Sequence, residues 1–448
     1  MLFFIIALSV VLVVILTAVL KVHPFLSLLF GAFFIGIASG MPLADVVASV
    51  NEGFGGLMAG IGLVIVFGTI IGVILEKSGA AYRMAEVVLR FIGEKRPQLA
   101  MSIIGFIVSI PVFCDSGFVI LSSLKKALAK RAKVAIASMS VALATGLYAT
   151  HTLVPPTPGP IAAAGNIGAE AYLGTIILIG FVVAIPAVAV GYLWAVKFAS
   201  KIQVPEDTEK GGLNYEEIVA SFGKMPSTFN AFLPILLPIV LIAAGSIANL
   251  AGDGGTIASF LSFLGAPTVA LLAGVLAALL LLPDYSEKTL SGWIGEGLVA
   301  AAPILLITGA GGAFGRVIAN SGVAELITAM DFGDFATGSL FLLIPFLIAA
   351  ALKTAQGSST AALVITSTLV APLLPTLGIE GAIPLALVVM AIGAGAMTVS
   401  HVNDSFFWVV KEFSGMTITD AYKAQTVATL LQGVTTITVT MLLWFLLV

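Results

Sequence analysis

Gln98–Ser123 reads QLAMSIIGFIVSIPVFCDSGFVILSS. It is apolar, and it exceeds the roughly 20 residues that carry a helix through about 30 Å of hydrocarbon. Yet it lies between two basic clusters, Lys77 to Arg96 and Lys125 to Lys133. Lys and Arg gather on the cytoplasmic side of a membrane protein, so both of its ends belong on that side. A single crossing is therefore excluded, and the segment enters and returns. Its middle, IPVFCDSGFV, contains Pro111, Asp115 and Gly117, which splits it into two half-length helices. The reading is a re-entrant hairpin over 98–123. Non-helical backbone at such depth is tolerated only inside protein or beside a water-filled cavity.

The composition around that stretch points the same way. Of 448 residues, 59% are hydrophobic and 10% charged, with a mean hydropathy of +1.15, whereas about a quarter of an average soluble domain is charged. An all-α polytopic membrane protein is expected, with no soluble domain appended. The single cysteine, Cys114, excludes an intrachain disulfide. A signal peptide is not expected, because MLFFIIALSVVLVVILTAVL has no basic start and no small-residue cleavage site follows it. The other basic segments are Lys21, Lys197 to Lys224, Lys288 and Lys411 to Lys423; by the same rule they are cytoplasmic. Segments without Lys or Arg, 40–60, 160–174, 251–256 and 321–339, then face outside as loops.

Apolar spans are expected at 2–20, 25–40, 61–75, 134–164, 175–196, 229–249, 266–282, 298–318, 384–410 and 426–447. That gives about ten crossings plus two hairpins, with both termini outside. The second hairpin is 338–375, where FLLIPFLIAAALKTAQGSSTAALVITSTLVAPLLP is broken by the polar run Lys353 to Thr360. A polar linker at 200–228 divides the chain into an N-terminal unit, 1–199, and a C-terminal unit, 229–448.

The two units resemble each other. Glu52-Gly53, Gly68, Gly72 and Ser78-Gly79 recur, shifted by about 243 residues, as Glu296-Gly297, Gly311, Gly315 and Ser321-Gly322. The span after Glu52 runs inward and its partner after Glu296 runs outward, so the repeats are inverted in topology. CDSGF at the first tip pairs with TAQGSST at the second, and ATHTLVPPTP pairs with VSHVNDSFF. Two of the three histidines, His151 and His401, take matching positions in the latter pair. Inverted repeats with broken helices are the build of secondary transporters, whose sites lie near the bilayer midplane. The third histidine, His23, reads as a helix cap or a headgroup contact.

Half-helix N-termini carry unpaired N–H groups and about half a positive charge, a ready receptor for a carboxylate. Around the breaks stand Ser116, Thr150, Thr152, Thr157, Gln356, Ser358, Ser359, Thr360, Asn403 and Ser405, groups suited to a polyhydroxylated solute. Each Ser or Thr could equally bond a carbonyl of its own helix. Asp115 and Asp404 are candidate proton or cation sites, and His151 and His401 candidate proton relays. Lys353 balances substrate charge or pairs with a carboxylate. Arg316 reads as an interfacial anchor, and Gly36/Gly40, Gly68/Gly72 and Gly311/Gly315 as close helix packing. No GxxxxGK[ST] sequence is present, which argues against a nucleotide-driven pump, and no HExxH pattern or Cys/His cluster suggests a metal. No enzyme constellation competes.

Four strings identify a resemblance: VFCDSGFVIL with LKKALAKRAK following, ATGLYATHTLVPPTPGPIAAAGNIGA, LKTAQGSSTAALVITS and SHVNDSFFWVVKEFSGM. They resemble the gluconate permease family of bacterial gluconate:proton symporters, within the ion transporter superfamily, over essentially the whole chain. The resemblance implies proton-coupled uptake of gluconate or a related small hydroxy acid across the bacterial inner membrane. D-serine or another hydroxy acid is the nearest alternative substrate, and sodium the alternative coupling ion. It also implies a homodimer working by an elevator-like movement, with no cofactor and no nucleic-acid partner. Carried onto this chain, the site comprises Asp115, Ser116, Thr150, His151, Thr152, Gln356 to Thr360, His401, Asn403 and Asp404.

Overall fold

The computed structural model describes the whole chain except residues 1–4, 6, 7, 10, 14, 94, 95, 205–219, 221, 224, 251–254, 322–337 and 403. Among the described residues the regular structure is entirely helical. The first half contains α1 (Pro24–Ala38), α2 (Leu43–Lys77), α3 (Ala80–Ile92), α4 (Pro97–Val108), α5 (Cys114–Ala132), α6 (Ile136–Leu153), α7 (Pro158–Asn166) and α8 (Leu173–Lys197). The second contains α9 (Thr228–Leu250), α10 (Gly255–Gly265), α11 (Pro267–Leu279), α12 (Glu287–Asn320), α13 (Leu343–Gln356), α14 (Ser359–Val370), α15 (Ala382–Met397), α16 (Ser405–Ser414) and α17 (Val427–Leu447). This is a multi-pass membrane protein. Six helical segments are long and apolar enough to span a membrane, and the pair α10 and α11, bent by 66°, makes a seventh. The expected crossings at 25–40 and 384–410 contain only short apolar helices, α1 and α15, and 134–164 is broken between α6 and α7, whereas α13, expected as half of a hairpin, is among the six. The expected span at 2–20 lies partly, and the linker at 200–228 largely, outside the described residues.

The breaks fall where the sequence places helix-stopping residues. α4 and α5 are separated at 109–113, α6 and α7 at 154–157, α13 and α14 at 357–358, and α15 and α16 at 398–404. Proline opens α4 and α7, where its missing N–H costs nothing. Gly357, at φ +79°, ends α13 in the left-handed conformation that glycine adopts without strain.

Two expected loops are corrected. Residues 40–60 are not a loop, because α2 is helical from Leu43 onward, and most of 160–174 is not one either, because α7 runs to Asn166 and α8 starts at Leu173. Gly53 lies against Gly312, where a side chain on either glycine would collide with the other's carbonyl. Close backbone approach, rather than a turn, is what these small residues serve. Along its length α2 packs antiparallel to α12: Ser49 meets Asn320 at 2.9 Å, Glu52 meets Arg316 at 3.2 Å, and Lys77 meets Glu296 at 2.5 Å. The two helices start at Leu43 and Glu287 and end at Lys77 and Asn320, so they coincide under the shift that relates the sequence halves.

Every residue of α6 from Ala137 to Leu153 is buried, as is every residue of α15 from Leu385 to Met397. These two helices form the centre, and α2 holds the break at the C-terminal end of α6 together with the tip between α4 and α5. A Cβ on Gly68 would stand 2.8 Å from the Pro156 carbonyl oxygen, and one on Gly72 would stand 2.5 Å from that of Pro111. Two breaks, one of them the tip between α4 and α5, therefore rest on one turn of α2.

Candidate functional site

Four helices begin at the breaks, and they lie in two side-by-side pairs that each join one half of the chain to the other. α5 packs on α16: Asp115 interacts with the Ser405 side chain, the Phe118 and Phe406 rings meet edge to face at 6.1 Å, and Lys125 Nζ donates to the Phe413 carbonyl at 3.1 Å. The contacts advance together along both helices, so the pair is parallel with its N-termini adjacent. α7 packs on α14 in the same way, from Gly159 beside Thr360 to Asn166, whose Nδ2 donates to the Val364 carbonyl and to Ser367 and Thr368 at 2.8 to 3.1 Å.

The paired N-termini converge. Lys353, from the last turn of α13, places Nζ 2.6 Å from Asp404 Oδ2, with the two side chains 0% and 5% exposed. The same ammonium donates to the Gly357 carbonyl at 2.9 Å, which fastens the tip between α13 and α14. Asp404 also accepts from Ser400 Oγ and from the Phe406 N–H at 3.1 Å, so it caps α16. Of the two readings left open for Lys353, pairing with a carboxylate is the one observed. Tyr148 of α6 links the elements: its ring lies 5.7 Å from Lys353 Nζ, 5.2 Å from Phe406, and stacks on His151 at 6.5 Å and 10°. Its phenol also interacts with Ser359. Asp115 senses the charges of both Asp404 and Lys353, as does His151.

The sequence-derived candidates divide into groups. Asp115, His151, Ser359 and Asp404 come together at this cluster. Three buried polar atoms there lack a hydrogen-bond partner: Asp115 Oδ1, His151 Nδ1 and, at the neighbouring tip, Gln356 Nε2. Such atoms are costly unless something else satisfies them. Ser116 turns to Glu76 of α2. Thr150 and Thr152 donate to carbonyls one turn back in α6, and Thr157 donates to the Val154 carbonyl at 2.7 Å. These threonines satisfy their own segment, the local alternative open to any hydroxyl in a helix. Ser358 caps α14 through the Ala361 N–H, and Thr360 is half-buried in the first turn. Asn403 lies outside the described residues.

The matched histidines sit differently. His151 is buried and inside α6, two residues before its end. His401 lies beyond the end of α15, half-buried, with Nε2 2.7 Å from the Thr354 carbonyl of α13. The second-half break falls before its histidine, and the first-half break after. His23 accepts from the Phe25 N–H at 3.3 Å and caps α1, as its sequence position suggests. Tyr148, Ser400 and Glu76 were not singled out from sequence. Tyr148 could have been, since it stands one turn before His151 on a helix buried on all sides. The described residues hold no group of three or more His, Cys, Asp or Glu that could bind a metal.

A separate cavity of about 620 Å³ lies at the other end of α14, lined by Glu52, Asn166, Gly315, Arg316 and Thr368 among others. It is distinct from the cluster.

The family model described as "GntP family permease" matches residues 1–447. A gluconate permease of Pseudomonas aeruginosa is 33% identical over 422 residues, covering 91% of this chain and 89% of that protein. The Gnt-II system L-idonate transporter of Escherichia coli is 33% identical and covers 94% of each. In fold, the chain is similar to the YdaH transporter of Alcanivorax borkumensis, with a TM-score of 0.64 at 14% identity, over 95% of this chain and 97% of that one. The chain therefore belongs to the GntP permease family.

Proposed function

We propose that this chain is a secondary transporter that carries gluconate, or a closely related small hydroxy acid, into the cell together with a proton. The observation that carries the reading is the convergence of four half-helix N-termini on the buried Lys353–Asp404 pair, with Asp115 and His151 beside it. The N-terminus of α5 has no side-chain cap, so its N–H groups suit a carboxylate; that of α7, which opens Pro158-Gly159-Pro160, adds only the Gly159 N–H. Asp115 Oδ1, His151 Nδ1 and Gln356 Nε2 suit hydroxyl groups. The names of the relatives, a gluconate permease and an L-idonate transporter, support a sugar acid.

Coupling follows from charge. With both carboxylates ionised, Asp115, Lys353 and Asp404 sum to one negative charge, which repels an anionic solute at low dielectric. A proton on Asp115 removes that repulsion, so proton and anion bind together. Asp404 holds Lys353 and caps α16 at once.

An inverted-repeat build is supported by the coincident limits and antiparallel packing of α2 and α12 and by the exchange of half-helices between halves. Re-entry of the α4–α5 and α13–α14 pairs is supported by the breaks at 109–113 and 357–358. An elevator-like movement, a homodimer and a place in the bacterial inner membrane accord with the resemblance, and both termini outside with the distribution of Lys and Arg.

The test is uptake of labelled gluconate by purified protein in liposomes, with pH and Na⁺ gradients imposed separately. Accumulation driven by an inward proton gradient is expected, and competition by L-idonate and D-serine ranks the substrates. Uptake that needs Na⁺ and ignores the pH gradient would overturn proton coupling. Asp115→Asn is expected to abolish gradient-driven accumulation while leaving gluconate binding within about threefold, because the variant keeps the shape and loses the titrating charge. Wild-type accumulation by this variant would remove Asp115 from the mechanism.

A further inference from the structure

The cavity near Arg316 belongs to neither the helix breaks nor the buried ion pair. Along α14 it is separated from Ser359 by the nine residues to Thr368, about 14 Å at the rise of an α-helix. It lies at the end of α2 and α12 that the distribution of Lys and Arg assigns to the outside. Its volume of about 620 Å³ falls within the range of small-ligand pockets, roughly 300 to 1,000 Å³.

Three features of its wall are unexplained by packing. Gly56 and Gly315 face it, yet a Cβ at either would meet nothing within 4 Å. Neither has the left-handed backbone that would demand glycine. Glycine within a helix costs about 1 kcal/mol relative to alanine, so what these positions gain is open space. Second, Asn166 uses its amide N–H groups within the α7–α14 pair but leaves Oδ1 buried and without a partner, an acceptor lacking a donor. Third, among the described residues Arg316 pairs with Glu52 alone, at 3.2 Å, with the two side chains 51% and 60% exposed, a pairing weak enough to be exchanged.

We infer that this cavity is an entry site for the anionic solute: Arg316 takes its carboxylate in exchange for Glu52, and Asn166 Oδ1 accepts from one of its hydroxyls. The ligand class is a small hydroxy carboxylate, and the inference rests on the transport reading above. Glu52 acts as a competing carboxylate that sets how readily the guanidinium is released. α14 then connects this site, at its C-terminal end, with the cluster at its N-terminus.

The alternative is that the Glu52–Arg316 pair merely braces α2 against α12. Opposite signs separate the two roles. In proteoliposomes with labelled gluconate, Arg316→Gln should raise KM about tenfold, the loss of one charge-assisted contact, with Vmax retained. Glu52→Gln should lower KM, because it frees the guanidinium. Gly315→Leu, which fills the cavity, should raise KM as Arg316→Gln does. The wild-type KM should also climb with ionic strength, and that of Arg316→Gln should not. If Arg316→Gln and Glu52→Gln shift KM in the same direction, or change Vmax alone, the pair is a brace and the entry site is wrong. Should Arg316→Gln fail to fold, the KM values of Glu52→Gln and Gly315→Leu decide alone. Absence of gluconate uptake by the wild type overturns the transport reading and this site with it; uptake with an unmoved KM in all three variants overturns the site only.

Discussion

At the centre of the molecule Lys353 and Asp404 pair at 2.6 Å with side chains 0% and 5% exposed, while near the C-terminal end of α12 Arg316 and Glu52 pair at 3.2 Å in contact with solvent. The glycines differ in parallel. Gly72 of α2 has the Pro111 carbonyl pressed against it, whereas Gly315, its counterpart under the shift between the halves, faces open space. The same residue types therefore serve opposite ends: at the centre they lock the breaks together, and at the rim they leave room and a charge that can change partner. Burial decides which role an ion pair plays. A buried ion cannot be rehydrated when its partner leaves, and an exposed one can.

The largest effect should come from splitting the central pair. Lys353→Met leaves the Asp404 carboxylate buried without its counter-ion, at an expected cost of about 3 to 5 kcal/mol. It also frees the Gly357 carbonyl and so loosens the tip between α13 and α14. The double variant Lys353→Met/Asp404→Asn removes both charges and keeps a residue that can cap α16. It should recover most of the lost thermal stability. If the single and double variants unfold at the same temperature, the pair is not what holds the centre closed.

A smaller loss is expected at Gly72. Alanine there puts a methyl group 2.5 Å from the Pro111 carbonyl oxygen, backbone against backbone, so α2 and the break must move apart. Forced overpacking of this kind costs about 1 to 3 kcal/mol. Because the displaced element carries Asp115 four residues on, gluconate uptake should fall together with the unfolding temperature. Unchanged uptake in a protein of lowered stability would mean that the break tolerates displacement.

The breaks themselves were legible in the sequence, because proline, glycine and clustered polar residues inside apolar runs have few other uses. The pairing of Lys353 with Asp404 was not. The two stand 51 residues apart, and nothing local to either names the other. The helical start of α2 was hidden for a similar reason: 40–60, without Lys or Arg, read as a loop, and the packing of α12, with Arg316 for Glu52 and Gly312 for Gly53, favours a helix there. The equation of His401 with His151 failed in its local structure, since a shift of a few residues in where the break falls moves one histidine out of its helix. Glycine spacing identified Gly68, Gly72 and Gly311 as contact points but gave the same reading to Gly40 and Gly315. Gly40, at φ +81°, serves a turn instead. What a glycine faces depends on the neighbouring helix, which spacing along one chain does not encode.

Gly315 gives the smallest effect and the sharpest contrast with Gly72. Alanine at 315 meets no atom within 4 Å, so it adds no strain and gains up to about 1 kcal/mol of helix propensity. Gly315→Ala should therefore raise the unfolding temperature slightly where Gly72→Ala lowers it, although the shift between the halves makes the two positions equivalent. Its methyl group takes only a small part of a cavity of about 620 Å³, so KM for gluconate should move far less than in Gly315→Leu. A stabilised Gly315→Ala with nearly normal KM, beside a Gly315→Leu with raised KM, would show that the position is kept small for the space in front of it. Equal destabilisation by alanine at 72 and 315 would instead mean that the C-terminal end of α12 is packed as tightly as the centre, and the contrast between them would be lost.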